Sequence, residues 1–271
     1  MTKLVLGIIG CGNMGNAIAH GVLASQSLKK TFDILAYDII DVARKKLEQA
    51  GGRWHSTPST LAAAADLILL AVKPYQIRDL IQSIRPSLTK DKILLSIAAG
   101  QPLSVLRNAL DGACPAVQIM PNTPVLVGDG VFGLCFDDPD LPAERKVAIQ
   151  QLFETMGTVF VLPEDKMNAL MAVTGSGPAF VYNLMDAVME AAVTLGFTRQ
   201  QASDMVTALF RGSARMVGET GLHPAVLHSQ VTSPKGTTIA GTNHLARTGV
   251  RGHIIDAILA VHARGKEMEK E

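Results

Sequence analysis

Cysteine is scarce in this chain, and its placement excludes two common ways of stapling a fold. Cys11, Cys114 and Cys135 are odd in number and far apart, with no C-x-x-C pair, so neither a disulfide framework nor a zinc site is indicated, and reduced thiols in the cytosol fit best. The seven histidines include no H-E-x-x-H or comparable spacing, so no metal is expected. Aromatic residues make up only 4% of the chain although 48% of it is apolar, so the excess is aliphatic and must be buried internally or between subunits. Neither sign of charge dominates: 25 Lys and Arg stand against 24 Asp and Glu. That balance lacks the strong basic field needed to hold a nucleic-acid backbone or an anionic membrane, which leaves small molecules and the chain itself as partners. No apolar run approaches the ~18–20 residues of a membrane span. The N-terminal apolar stretch Leu4–Ile9 is interrupted by Gly7 and falls short of the roughly 7–15 residues of an export signal, so a cytoplasmic location is expected.

What is present begins with Gly10-Cys11-Gly12-Asn13-Met14-Gly15, a G-x-G-x-x-G run directly after that aliphatic stretch and before an alanine-rich helical segment. In a strand–turn–helix, Gly10 allows the tight turn, Gly12 lets backbone approach a pyrophosphate, and Gly15 lets the helix pack on the strand. The helix from Asn13 to Leu23 then aims its unpaired N–H groups and positive dipole end at the phosphates.

The 271 residues suffice for two ordinary domains. Up to residue 162, aliphatic strands (Leu4–Ile9, Phe32–Tyr37, Asp66–Val72, Ile93–Ile97, Ala116–Met120, Gly130–Phe136, Thr158–Val161) alternate with helical stretches. This is the pattern of a doubly wound parallel sheet. From residue 163 no further strand is legible, and six helical segments follow, with a capping box at Thr198 and Gln201 and Pro224 at a first helical turn. The expected organisation is a dinucleotide-binding domain over 1–162 and a helical domain over 163–271, to which the family resemblance given below assigns dimerisation and substrate binding. Large apolar side chains such as Met185, Met189, Met205 and Phe210 on these helices read as core or subunit interface, and predict an obligate dimer or larger assembly.

Several segments could carry chemistry. Asp38 ends the second strand, where a carboxylate accepts hydrogen bonds from the adenosine ribose and repels a 2′-phosphate; it could equally begin a turn or cap the next helix, although Asp41 is the better cap. Ala71-Val72-Lys73-Pro74 and Ser96-Ile97-Ala98-Ala99-Gly100 each end a strand on the edge where such sheets bind ligands. Met120-Pro121-Asn122-Thr123-Pro124, Thr174-Gly175-Ser176-Gly177 and Ser233-Pro234-Lys235-Gly236-Thr237-Thr238 set backbone-shaping residues beside hydroxyls or an amide. The last opens a helix and suits a carboxylate held by backbone N–H groups and hydroxyls, or an ordinary helix cap.

In this order and approximate spacing, the segments resemble the pyrroline-5-carboxylate reductase family. The resemblance implies an N-terminal Rossmann domain, a helical dimerisation domain, dimers that build a decamer, and active sites completed by helices of two subunits. It places NADPH or NADH on Ile9, Gly10, Cys11, Gly12, Asn13, Met14, Asp38, Ser56, Ala71, Val72, Lys73, Pro74, Ala98, Ala99, Met120, Pro121 and Asn122. It places a cyclic imine carboxylate on Ser176, Ser233, Gly236, Thr237 and Thr238, with the Thr238 hydroxyl bonding the ring nitrogen as the catalytic contact. The chain departs from the family pattern at Gln118, where an Arg is expected, and at Lys235, which replaces a Gly. Two other readings share the N-terminal loop. A β-hydroxyacid dehydrogenase would carry a Lys where Val181 stands, and a dinucleotide-sensing regulator would have no use for the Ser233–Thr238 loop.

Overall fold

Strands with both faces apolar need helices on both sides, and that requirement organises the first part of the chain. A computed structural model describes residues 3–269. Its eight strands are β1 (Leu4–Ile9), β2 (Phe32–Tyr37), β3 (Arg53–Trp54), β4 (Leu67–Leu70), β5 (Ile93–Ser96), β6 (Ala116–Met120), β7 (Gly130–Cys135) and β8 (Gly157–Val161). They form one sheet in the order β3-β2-β1-β4-β5-β6-β7-β8, parallel throughout except for the antiparallel β6–β7 pair. The helices are α1 (Asn13–Ala24), α2 (Leu28–Thr31), α3 (Arg44–Gln49), α4 (Pro58–Ala64), α5 (Ile77–Ile84), α6 (Leu103–Leu110), α7 (Ala143–Glu154), α8 (Glu164–Leu170), α9 (Gly177–Thr194), α10 (Arg199–Thr220), α11 (Pro224–Gln230), α12 (Thr237–Arg247) and α13 (Val250–Met268).

Alternate residues of each central strand feed two separate cores. Leu6, Ile8, Leu67 and Leu69 pack with α1 and α7 through Ile18, Val22, Leu152 and Phe153. Ile9, Ile68 and Leu70 pack on the opposite face with α4, α5, α6 and α8 through Leu61, Ile81, Leu106 and Met167. This two-sided burial is what the unbroken aliphatic strands require. Two short elements were not legible in the sequence. β3 is only two residues long, and α4 owes its start to Thr57, whose Oγ1 accepts the Thr60 N–H at 3.2 Å, and to Pro58 in its first turn.

By its contacts the chain divides into two units, one running through Ser176 and including the C-terminal stretch from His262, the other spanning Gly177–Val261. In the second unit α9 pairs with α10, whose start carries the expected Thr198–Gln201 capping box. Only Ala202 and Val206 are buried among its apolar side chains, while Val181, Leu184, Val188, Leu209, Met216 and Leu259 remain exposed. A helical unit with so little core of its own presents an apolar surface suited to a second copy. Among the described residues, no helix is long and apolar enough to cross a membrane.

Candidate active site

Sheet order reverses between β1 and β4, which pair in register at Ile9 and Leu70 although β2 and β3 intervene in the chain. Open parallel sheets bind ligands outside the carboxyl ends of the strands at such a switch point, because the connecting segments leave in opposite directions and open a crevice. A cleft of about 560 Å³ lies there. Ile9, Gly10, Gly12, Asn13 and Met14 line it from β1 and the start of α1, Asp38 from the end of β2, Ala71, Val72 and Lys73 from beyond β4, Ala99 from beyond β5, and Met120 and Pro121 from the end of β6.

The glycine loop is built for an anion. Gly10 has φ 102°, and a Cβ on Gly15 would overlap the Gly10 carbonyl oxygen, so the turn closes onto the helix only with glycine at both. Gly12 is the N-cap of α1 and offers no side-chain cap, no acidic residue occupies the first turn, and a Cβ added there would meet nothing within 4 Å. Open space, unpaired N–H groups and the positive end of a 12-residue helix therefore converge on one point, which fits a dinucleotide pyrophosphate.

Asp38 serves two ends at once. Its Oδ2 accepts the Cys11 N–H at 2.5 Å and its Oδ1 accepts the Ile40 N–H at 3.0 Å, so the half-buried carboxylate ties the glycine loop to the turn after β2 while lining the cleft. Asp41 does not cap a helix here; it is the first residue of a short 3₁₀ turn whose N-cap is Ile40. Lys73 is the one cation among the described residues that line the cleft.

Five residues that the family resemblance assigned to the cofactor do not line the cleft. The Cys11 thiol turns inward toward the Tyr37 carbonyl oxygen at 3.7 Å, and burial, reinforced by the Asp38 charge, pushes it up to about 12, so it stays protonated. Ala98 is buried in the core beneath the loop. Pro74 begins a 3₁₀ turn, and Ser56 lies exposed two residues before Pro58, which does line the cleft. Asn122 spends its side chain on the protein: Oδ1 accepts the Val131 N–H at 2.8 Å and Nδ2 donates to the Thr174 carbonyl oxygen at 3.1 Å. Thr174 belongs to a π-helical turn, Met171–Gly175, a tightly local irregularity that leaves carbonyl groups in need of such partners. Ile97, from the Ser96–Gly100 segment, lines the cleft as well, and Tyr37, Ile39, Pro58, Gln76 and Leu80 line it unannounced. Tyr37 and Ile39 flank Asp38, so proximity could have suggested them; Leu80 arrives from a helix face that only packing defines.

Within the second unit the Ser233–Thr238 loop forms a tight turn. The Gly236 N–H donates to the Ser233 carbonyl oxygen at 3.1 Å, and a Cβ on Gly236 would overlap Ser233 Oγ. Lys235 takes φ 57°, the left-handed region that glycine enters freely and that costs other residues roughly 1–2 kcal/mol. The loop thus keeps a glycine-like conformation despite the Lys. Gly236 is the N-cap of α12 with no side-chain cap, and Thr237 and Thr238 are exposed in its first turn. Ser176 follows the π-helical turn, its N–H donating to the Met171 carbonyl oxygen at 3.0 Å. Gln118 is buried in β6 between Ser96 and Cys135, and its Oε1 has no hydrogen-bond partner among the described residues. No cluster of metal-ligating side chains occurs among the described residues.

Residues 164–268 match the model of a pyrroline-5-carboxylate reductase dimerisation domain, and residues 5–100 match the family described as NADP oxidoreductase, coenzyme F420-dependent. A pyrroline-5-carboxylate reductase of Methanosarcina acetivorans is 33% identical over the whole of both chains. The chain belongs to the pyrroline-5-carboxylate reductase family. A pyrroline-5-carboxylate reductase structure from Coxiella burnetii superposes with a TM-score of 0.90 at 30% identity, covering all of both chains. A pyrroline carboxylate reductase structure from Plasmodium falciparum with NADP bound has a TM-score of 0.87 at 27% identity over 99% of each chain. As a pyrroline-5-carboxylate reductase, the chain is an NAD(P)H-dependent oxidoreductase that acts on the C=N bond of 1-pyrroline-5-carboxylate, and its second unit lies within the matched dimerisation region. Val181, where a β-hydroxyacid dehydrogenase would need its Lys, is a partly exposed residue of α9.

Proposed function

We propose that the cleft at the β1–β4 switch holds the dinucleotide, with Gly10, Gly12, Asn13 and Met14 around the pyrophosphate, Asp38 toward the adenosine ribose and Ala99 toward the nicotinamide. The observation that carries this reading is the unobstructed space over Gly12 at an uncapped helix N-terminus. The Ser233–Thr238 loop holds the cyclic imine: the bare first-turn N–H groups of α12 and the hydroxyls of Ser233 and Thr237 suit its carboxylate, and the Thr238 hydroxyl suits its ring nitrogen. The reduced nicotinamide supplies the hydride. A cyclic imine protonated on nitrogen accepts it readily, so the protein's task is to bind the carboxylate, orient the C=N carbon and exclude water, and no His or Glu general acid is required. Following the absorbance of reduced cofactor with pyrroline-5-carboxylate tests the reading directly; binding of the dinucleotide without turnover would instead favour a sensing role.

Asp38, lining the cleft at the end of β2, supports a preference for NADH. A 2′-phosphate at the end of β2 would face a carboxylate already committed to Cys11 and Ile40, whereas ribose hydroxyls could donate to it. The expected result is kcat/KM for NADH at least equal to that for NADPH, and a roughly tenfold shift toward NADPH in Asp38→Asn, the equivalent of about 1.4 kcal/mol. A strong NADPH preference unchanged by the substitution would remove the carboxylate from the ribose.

The reading also includes a cytosolic homodimer assembling into a decamer, supported by three buried free thiols and by the exposed apolar helix faces of the second unit. Sedimentation should find a dimer or larger species at micromolar concentration; a stable, active monomer would refute it.

A further inference from the structure

The C-terminal end of α13 is held against the wall of the cleft by residue choices that helix propensity does not explain. Gly265 interrupts a helix that any residue with a Cβ would favour, at a cost of about 1 kcal/mol. The contact explains it: a Cβ there would overlap Asn168 Oδ1 and stand 2.7 Å from Met171 Cε. Asn168, on α8 and 7% exposed, donates from Nδ2 to the His262 carbonyl oxygen at 3.1 Å, fastening the last turns of α13 onto α8. One turn further on, the Met268 side chain borders the open side of Gly100 in the loop after β5: a Cβ built on that glycine would sit 3.6 Å from Met268 Cε and 3.7 Å from Met268 Cβ. Ile97 and Ala99 of that same loop line the cleft. A second route runs from Met171, which meets Gly265, through the π-helical turn to Thr174, whose carbonyl holds Asn122, next to the cleft-lining Met120 and Pro121.

We propose that the end of α13, locked by Asn168 and Gly265 and applied to Gly100 through Met268, positions the Ile97–Gly100 wall of the cleft, so that the C-terminal residues of this chain govern the rate of hydride transfer without touching cofactor or substrate. The inference rests on the reading that Ala99 faces the nicotinamide. Met268 is a positioning residue, 40% exposed, so its truncation spares the fold. Because misplacing reacting groups by fractions of an ångström slows a reaction more than it weakens binding, kcat should carry the effect.

The test compares full-length wild type, Met268→Ala, Met268→Leu and Gly265→Ala. In Met268→Ala, kcat should fall about 5- to 10-fold while NADH affinity, measured by fluorescence titration, changes less than about twofold. The deuterium isotope effect from NADH labelled at the transferred position should rise in the same variant. In the cofactor-free protein, hydrogen exchange of the 97–101 amides should quicken in Met268→Ala and Gly265→Ala but not at β1. Met268→Leu, similar in volume, should restore both readouts. Unchanged exchange at 97–101 in both variants overturns the proposal, as does a fall in kcat matched by lost NADH affinity and melting temperature and not rescued by Leu. If wild type fails to turn over pyrroline-5-carboxylate, the functional reading falls, whereas the exchange comparison still decides whether α13 braces the loop.

Discussion

Gly12→Val is expected to abolish binding of NADH and NADPH while leaving the protein folded. The two halves of that outcome come from the same geometry. Gly12 has φ −67°, which valine adopts without strain, and a Cβ there touches no protein atom within 4 Å, so the folded chain has room for the substitution. As an N-cap, glycine is preferred to an aliphatic residue, and the loss costs about 1 kcal/mol of stability. The same empty space is where the pyrophosphate must approach the N–H groups of α1, and a branched side chain fills it. Calorimetric titration should show affinity reduced beyond measurement, with a melting temperature within a few degrees of wild type (about 1 kcal/mol is about 2–4 °C for a protein of this size). Unchanged affinity for both cofactors would remove the dinucleotide from this loop. Gly15→Ala is the informative contrast, because its Cβ would overlap the Gly10 carbonyl oxygen and the turn itself would have to move.

Thr238→Ala is expected to lower kcat/KM for pyrroline-5-carboxylate by roughly 5- to 150-fold, the worth of about 1–3 kcal/mol for one hydrogen bond to a polar or charged partner, with cofactor affinity nearly unchanged. Gly236, not Thr238, occupies the N-cap of α12, and Thr238 is exposed in the first turn, so the hydroxyl is available to a ligand. Thr238→Ser keeps the hydroxyl and should recover most of the activity. Normal turnover in the Ala variant combined with a lower melting temperature would make Thr238 a structural residue of the helix start and sink its catalytic role.

Much of the site was legible because its physics is local. The glycine loop follows from steric demands that act within six residues, and β1, β4 and β5 show as aliphatic runs because parallel strands covered on both faces tolerate little else. Asp38 was legible as a carboxylate at a strand end but not as a clasp on the Cys11 and Ile40 N–H groups, since that depends on where the glycine loop lies. Asn122 shows the limit from the other side. Its place beside Met120 and Pro121 suggested cofactor contact, yet a buried amide is drawn to backbone groups that lack partners, here on β7 and on a π-helical turn that no residue pattern announces.

By itself the sequence determined the dinucleotide loop, the strand-rich and helix-rich halves, and the order of motifs that carries the family resemblance, because each depends on neighbours in the chain or on composition. Only the tertiary structure decided that β4 lies beside β1 and so opens the cleft at their carboxyl ends, that Tyr37, Ile39, Leu80 and Ile97 share its wall, and that the end of α13 returns to the sheet unit through Asn168 and Gly265. Those are contacts between segments tens to hundreds of residues apart, chosen by the packing of whole faces, and no local preference of any single segment encodes them.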